Sequence, residues 1–243
     1  MSCVAQPVNV DKVSLANPAA VVDPRDVLKG RQLAIYNDIP NRVLPLPPPG
    51  FRPRGCLMTS PQEEIKLRRK MFECGMGVLV LEAELPLNEQ GRPLLAGAFM
   101  VDGKRLIFDK RPTNFDERRF FWAHLPLGCQ LVRLVLANGF GIRGSGDDLK
   151  AMFYQLLEHP GLLSRYAFGR RVTGDEAGSM NGVSNVDYRM CLNVIAMGGL
   201  NSVDIAQNGS RVNPVRSRMF GPGQNLEIWE RASHQQRARG SLH

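Results

Sequence analysis

The chain has 243 residues, 43% of them apolar, with a formal net charge of +8 and a pI of about 9.6. That is enough chain to bury the core of one large domain or one and a half, and the basic surface suits a polyanion, either nucleic acid or an anionic membrane. The five cysteines (Cys3, Cys56, Cys74, Cys129 and Cys191) are odd in number and form no C-x-x-C pair, which argues against a disulfide framework and a zinc site. They point to a reducing intracellular compartment, cytoplasmic or nuclear. No apolar run is long enough to span a bilayer, and the N-terminus lacks the charged start and apolar core of a signal peptide.

In chain order, residues 1–59 read as an extended, Pro-rich lead-in. Its segment Leu44-Pro-Leu-Pro-Pro-Pro-Gly50 favours polyproline II and cannot join a helix. Ser60 caps a helix, with Pro61 in the first turn and Glu63 three residues past the cap, the spacing of a capping box. Gly75 ends that helix, and Val78-Leu-Val-Leu81 follows as a strand. Ala98–Val101 and Arg105–Phe108 form a hairpin, because Asp102-Gly103 is a strong two-residue turn signal. The segment Leu131–Leu136 alternates in a way that fits either a strand or a helix. Asp148–Leu157 starts helically. Residues 172–187, rich in Gly, Ser and Asn, read as a loop. Cys191–Ile195 reads as a short strand, and Asn201–Gln207 as a helix start capped by Asn201 or Ser202. Beyond residue 207 the apolar periodicity fades.

Three blocks carry chemistry. The first has the spacing R-x-x-x-D-x-R-x-x-N: Arg105, Asp109, Arg111 and Asn114. The second is Asp147-Asp148-Leu149-Lys150-Ala151-Met152-Phe153-Tyr154-Gln155. The third is Met197-Gly198-Gly199-Leu200-Asn201-Ser202-Val203-Asp204-Ile205-Ala206-Gln207. Each has an ordinary reading by itself: an exposed strand with alternating charge, two aspartates capping a helix, and a glycine turn before a capped helix.

In this order and at these separations, the blocks together resemble the fingers and palm of a retrotransposon reverse transcriptase over roughly residues 60–230. The resemblance implies an α/β (α+β) fold: β-rich fingers over 60–115, a split β-α-β palm over 116–207, and a degenerate or disordered tail over 208–243. It implies template-directed nucleotidyl transfer with magnesium, an RNA or DNA primer–template and a dNTP as partners, and no membrane. Arg105, with Lys104 as the weaker candidate, would lie against the triphosphate, whose charge cations must neutralise. Asp109 and Arg111 would be a structural pair, and Asn114 and Asn201 structural residues.

Asp148 would be the catalytic metal ligand, since magnesium prefers carboxylate oxygens and Leu149 and Phe153 follow at the family's spacing. Asp147 competes for that role, one position out. Phe153 would exclude a ribose 2′-hydroxyl by bulk. Gly198 would let the backbone approach nucleotide or template, and Gln207 would support the template-side pocket. Val203 departs from the family's usual proline, as does Ala196-Met197 from its proline-containing lead.

The family's next block, an aromatic-x-Asp-Asp turn, is missing: no aspartate follows Asp204. Trp229-Glu230, which often precedes that turn, is present, and the positions of the turn then fall on Ser233–Gln236. The resulting expectation is a fragment resembling an RNA-directed DNA polymerase, inactive as given, with an incomplete palm sheet. Two alternatives stand beside it: a non-catalytic, basic nucleic-acid-binding module, and a degenerate retroelement product without function.

Overall fold

The computed structural model describes residues 4–123 and 151–210. These form a mixed α+β structure with two small antiparallel sheets. The mixed class matches the expectation from the sequence. The readings for Leu131–Leu136, for Asp147 and Asp148, and for the tail beyond Ser210 lie outside the described residues.

Helix α4, Pro61–Glu73, follows Ser60, whose hydroxyl accepts from the Glu63 N–H at 3.2 Å. The capping box is half formed. The Glu63 carboxylate does not return to the cap; it accepts from the Val10 N–H at 2.7 Å and pairs with Lys66 at 2.9 Å. Glu63 therefore ties the N-terminal segment to the helix. Leu67 and Met71 face the core, and Gly75, at φ +82°, follows the helix in the left-handed region that glycine favours.

Strand β1 (Gly77–Leu81) pairs with the last strand, Tyr188–Leu192, from Gly77↔Leu192 to Leu81↔Tyr188. Strands β2 (Gly97–Val101) and β3 (Arg105–Asp109) form the expected hairpin. Asp102 and Gly103 both have positive φ, and Lys104 adds a third residue to the connection between the paired Val101 and Arg105. Strand β4 (Ala167–Val172) flanks the last strand, here β5, on its other side, with a register shift between Phe168 and Val172. The order is β1-β5-β4, and a parallel bridge between Ala96 and Phe168 links the hairpin to this sheet.

The N-terminal stretch is not the extended lead-in expected. It holds α1 (Pro24–Val27), α2 (Gly30–Asn37) and α3 (Ile39–Arg42). Val8, Val10, Val13 and Ala19 enter the same apolar cluster as Leu67, Met100, Phe108, Phe168 and Met190. Val22, Leu28 and Tyr36 join a second cluster with Leu156, Ile195 and Ile205. Gln6 exchanges two 2.9 Å backbone hydrogen bonds with Met100, covering the edge of β2 that β3 leaves open.

Other departures follow from burial. After α5 (Arg111–Asn114), the described part of the helix expected over Asp148–Leu157, residues 151–157, holds the single turn α6, Met152–Gln155. Leu156 and Leu157 are extended, because they bridge Val22 and Val194. The loop expected over 172–187 contains α7, Gly174–Gly178. Strand β5 begins three residues before Cys191 and ends at Leu192, and α8 spans Ser202–Ser210, past the expected fade. Cys56, Cys74 and Cys191 are free thiols, and burial pushes Cys191 up to about 12. Among the described residues no helix is long and apolar enough to cross a membrane.

Candidate functional site

Strand β3 ends at Asp109, where the first block turns into α5. The Asp109 carboxylate accepts from the Cys56 N–H at 2.8 Å and from Arg111 Nε and Nη2 at 2.8 and 2.6 Å. Burial works against its charge, but the Arg111 and backbone hydrogen bonds outweigh it and hold the carboxyl below the usual carboxylate range.

Asn114, at the end of α5, reaches the third block. Its amide donates to the Gly198 carbonyl at 2.8 Å, and its side-chain oxygen accepts from the Leu200 N–H at 3.1 Å. Gly198 sits at φ +107°, with the Phe108 carbonyl oxygen 2.7 Å from where a β-carbon would stand. The close approach that demands glycine here is to the chain's own first block. Asn201 accepts from the Phe120 N–H and donates to the Arg118 carbonyl, each at 2.9 Å. Asp204 accepts from the N–H groups of Trp122 and Ala123. The second block joins through Tyr154, whose buried hydroxyl donates to the Leu106 carbonyl at 2.8 Å.

The three blocks therefore meet around β3 and α5. Not every candidate side chain faces one cavity. Arg105 and Lys104 stand exposed at the hairpin end, Arg105 paired with Asp102. Phe153 is half-buried and packs against both large apolar clusters. Gln207 is half-buried in α8 and has a partner within the structure. Asp148 lies outside the described residues.

One cluster had no signal in the spacing. Lys110, next to Asp109, is fully buried, 3.5 Å from Glu117 and stacked 2.9 Å over the centre of the Tyr166 ring. Arg42 is 3.9 Å from the buried Glu158, and Arg165 pairs with Asp116. Burial lowers Lys110 and raises Glu158. Tyr36 Oη, Arg42 Nε, Glu158 Oε2 and Arg165 Nε have no hydrogen-bond partner among the described residues. Residues 42, 110, 117, 158 and 165 come from three separate stretches of chain, around 42, 110–117 and 158–165, so only folding assembles them.

Among the described residues no three His, Cys, Asp or Glu side chains lie together so as to hold a metal ion. Asp204, the last aspartate in the chain, is occupied by backbone N–H groups. A cleft of about 950 Å³ borders the first block at Pro112, and Phe115 just after it, and extends between the Pro47–Arg54 segment and the 88–96 loop. It lies beside the convergence of the blocks rather than in it. No protein-family model and no curated protein matches this chain.

Proposed function

We propose that these 243 residues form a reverse-transcriptase-like fingers and palm fragment that binds a primer–template but does not polymerise. The observation that carries the reading is the Asn114 clasp: a residue of the first block holds both Gly198 and Leu200 of the third, 84 and 86 positions away. A shared site built from both blocks requires such a contact, and the clasp supports the reading to that extent.

In this reading the hairpin end presents Arg105, a planar fork, and Lys104, a point charge, to a triphosphate or phosphodiester backbone. Asn114, Asn201 and Asp204 fix the backbone of the third block and of residues 118–123. Magnesium, when bound through Asp148, would supply the charge neutralisation of nucleotidyl transfer. No second aspartate-bearing turn follows Asp204 within the chain, so the carboxylates for two ions are lacking.

Fluorescence anisotropy with a labelled primer–template tests the binding half. Tight association at low salt that weakens steeply as salt rises is expected, since phosphate contacts release counterions. Arg105→Gln should weaken it and make the salt slope shallower by about one contact. Absence of binding at low salt would overturn the reading. Primer extension with magnesium and dNTPs should give no product; extension that disappears on Asp148→Asn would overturn the inactive half.

A further inference from the structure

We infer that the cleft beside the first block binds single-stranded nucleic acid, with Arg54 and Arg92 on its phosphates and Phe51 stacked against a base. The inference rests on the nucleic-acid reading above and gives it a second contact surface of a different kind.

Charge is the first argument. The lining holds Arg52, Arg54, Arg92, Arg171 and Arg189. Against these five stand two carboxylates, Glu82 and Glu89. Both are already engaged: Glu89 pairs with Arg52 at 2.7 Å, and Glu82 with Arg171 and Arg189 at 2.8 and 3.3 Å. Arg52 also bonds the Pro112 carbonyl at 2.7 Å and Asp116 at 3.2 Å, so it serves as a strut of the wall. The guanidinium groups of Arg54 and Arg92 are exposed and have no partner among the described residues. Two planar, permanently charged forks opening on one cleft suit phosphate, which they can grip through two parallel hydrogen bonds.

The second argument is the apolar wall. Pro47, Pro48 and Pro49 form a stiff rim with little freedom to lose on binding, and Phe51 beside them is 81% exposed. A bare ring at the mouth of a cationic cleft offers a face on which any base can stack. A paired base hides its faces within the duplex stack, so a strand with unpaired bases fits better than a duplex. An acidic peptide would satisfy the arginines but leave the Phe51 ring without purpose.

The test is anisotropy with labelled oligothymidylate, a blunt duplex and poly-glutamate, on the parent chain and on the variants F51A, R54Q/R92Q and R31Q/R69Q. Arg31 and Arg69 are exposed and outside the cleft, so the last variant matches the charge change. All substituted residues are exposed, and unchanged thermal melts should accompany every variant. F51A is expected to weaken oligothymidylate binding about tenfold. R54Q/R92Q should do at least as much and reduce the salt slope by about 1.4, two phosphate contacts on a single strand. R31Q/R69Q should stay within about twofold of the parent.

Oligothymidylate affinity unmoved by F51A and R54Q/R92Q would overturn the inference, as would an equal loss of duplex binding. Capture of poly-glutamate that depends on the arginines but not on Phe51 would assign the cleft to acidic protein instead. A chain that binds duplex but not oligothymidylate sinks this inference alone; one that binds neither sinks the proposed function with it.

Discussion

Gly198 and Asp109 show how much single positions carry. At φ +107°, any side chain on Gly198 is strained, and a β-carbon would also press on the Phe108 carbonyl. Gly198→Ala is expected to destabilise by about 1–3 kcal/mol, read as a drop in the thermal midpoint. An unchanged midpoint would mean the third block is not seated on the first. Asp109 is tied to pH. Its folded carboxyl titrates below the unfolded value, so its contribution is complete above about pH 4 and is lost as pH falls through the folded value. Asp109→Asn should therefore melt earlier than the parent at neutral pH, with the gap narrowing in acid. A gap that stays constant down to low pH would show that the Arg111 pair is not its source.

At the scale of elements, local rules succeed where the element closes on itself. The Asp102-Gly103 turn and the Ser60-Pro61 helix start depend on residues a few positions apart, and both formed where the sequence put them. The same rules misjudged Glu63, whose partner is Val10, 53 positions away. This predicts a separation of effects. Ser60→Ala should destabilise the first turn of α4 by about 1 kcal/mol. Glu63→Gln should leave that turn in place and raise amide exchange at Val10 and its neighbours. Equal exchange changes in both segments for both variants would refute the division. The single-turn α6 has a similar cause: Leu156 and Leu157 start helically in the sequence but are drawn out by bridges to Val22 and Val194.

Across the whole molecule, the N-terminal segment decides cooperativity. Val8, Val10, Val13, Ala16, Ala19 and Val22 are all buried against later parts of the chain. Each buried valine is worth about 1.5–3 kcal/mol, while a domain's net stability is about 5–15 kcal/mol. Removing residues 1–22 should abolish the cooperative thermal transition; a shortened chain that still melts sharply would return the segment to the status of a lead-in. The buried charges act at the same scale. Lys110→Met would leave Glu117 buried without its cation, at an expected loss of about 3–5 kcal/mol. Pairing it with Glu117→Leu should recover part of that loss, because the uncompensated charge goes as well.

The sequence by itself determined what depends on short spacing and on composition. The mixed α+β class, the hairpin and the α4 helix start were legible because a turn residue or a cap acts on neighbours within a few positions. The order of the three blocks was legible too, as were the structural parts of the first, since Asp109 and Arg111 meet within two residues. Only the tertiary structure decided the meaning of Gly198, the clasp of Asn114 on Leu200, the burial of Lys110 and the cleft around Phe51. Each of these joins residues about 40 or more positions apart or turns on burial. Contact across such distances is set by the packing of the whole core, which no local pattern of residues encodes.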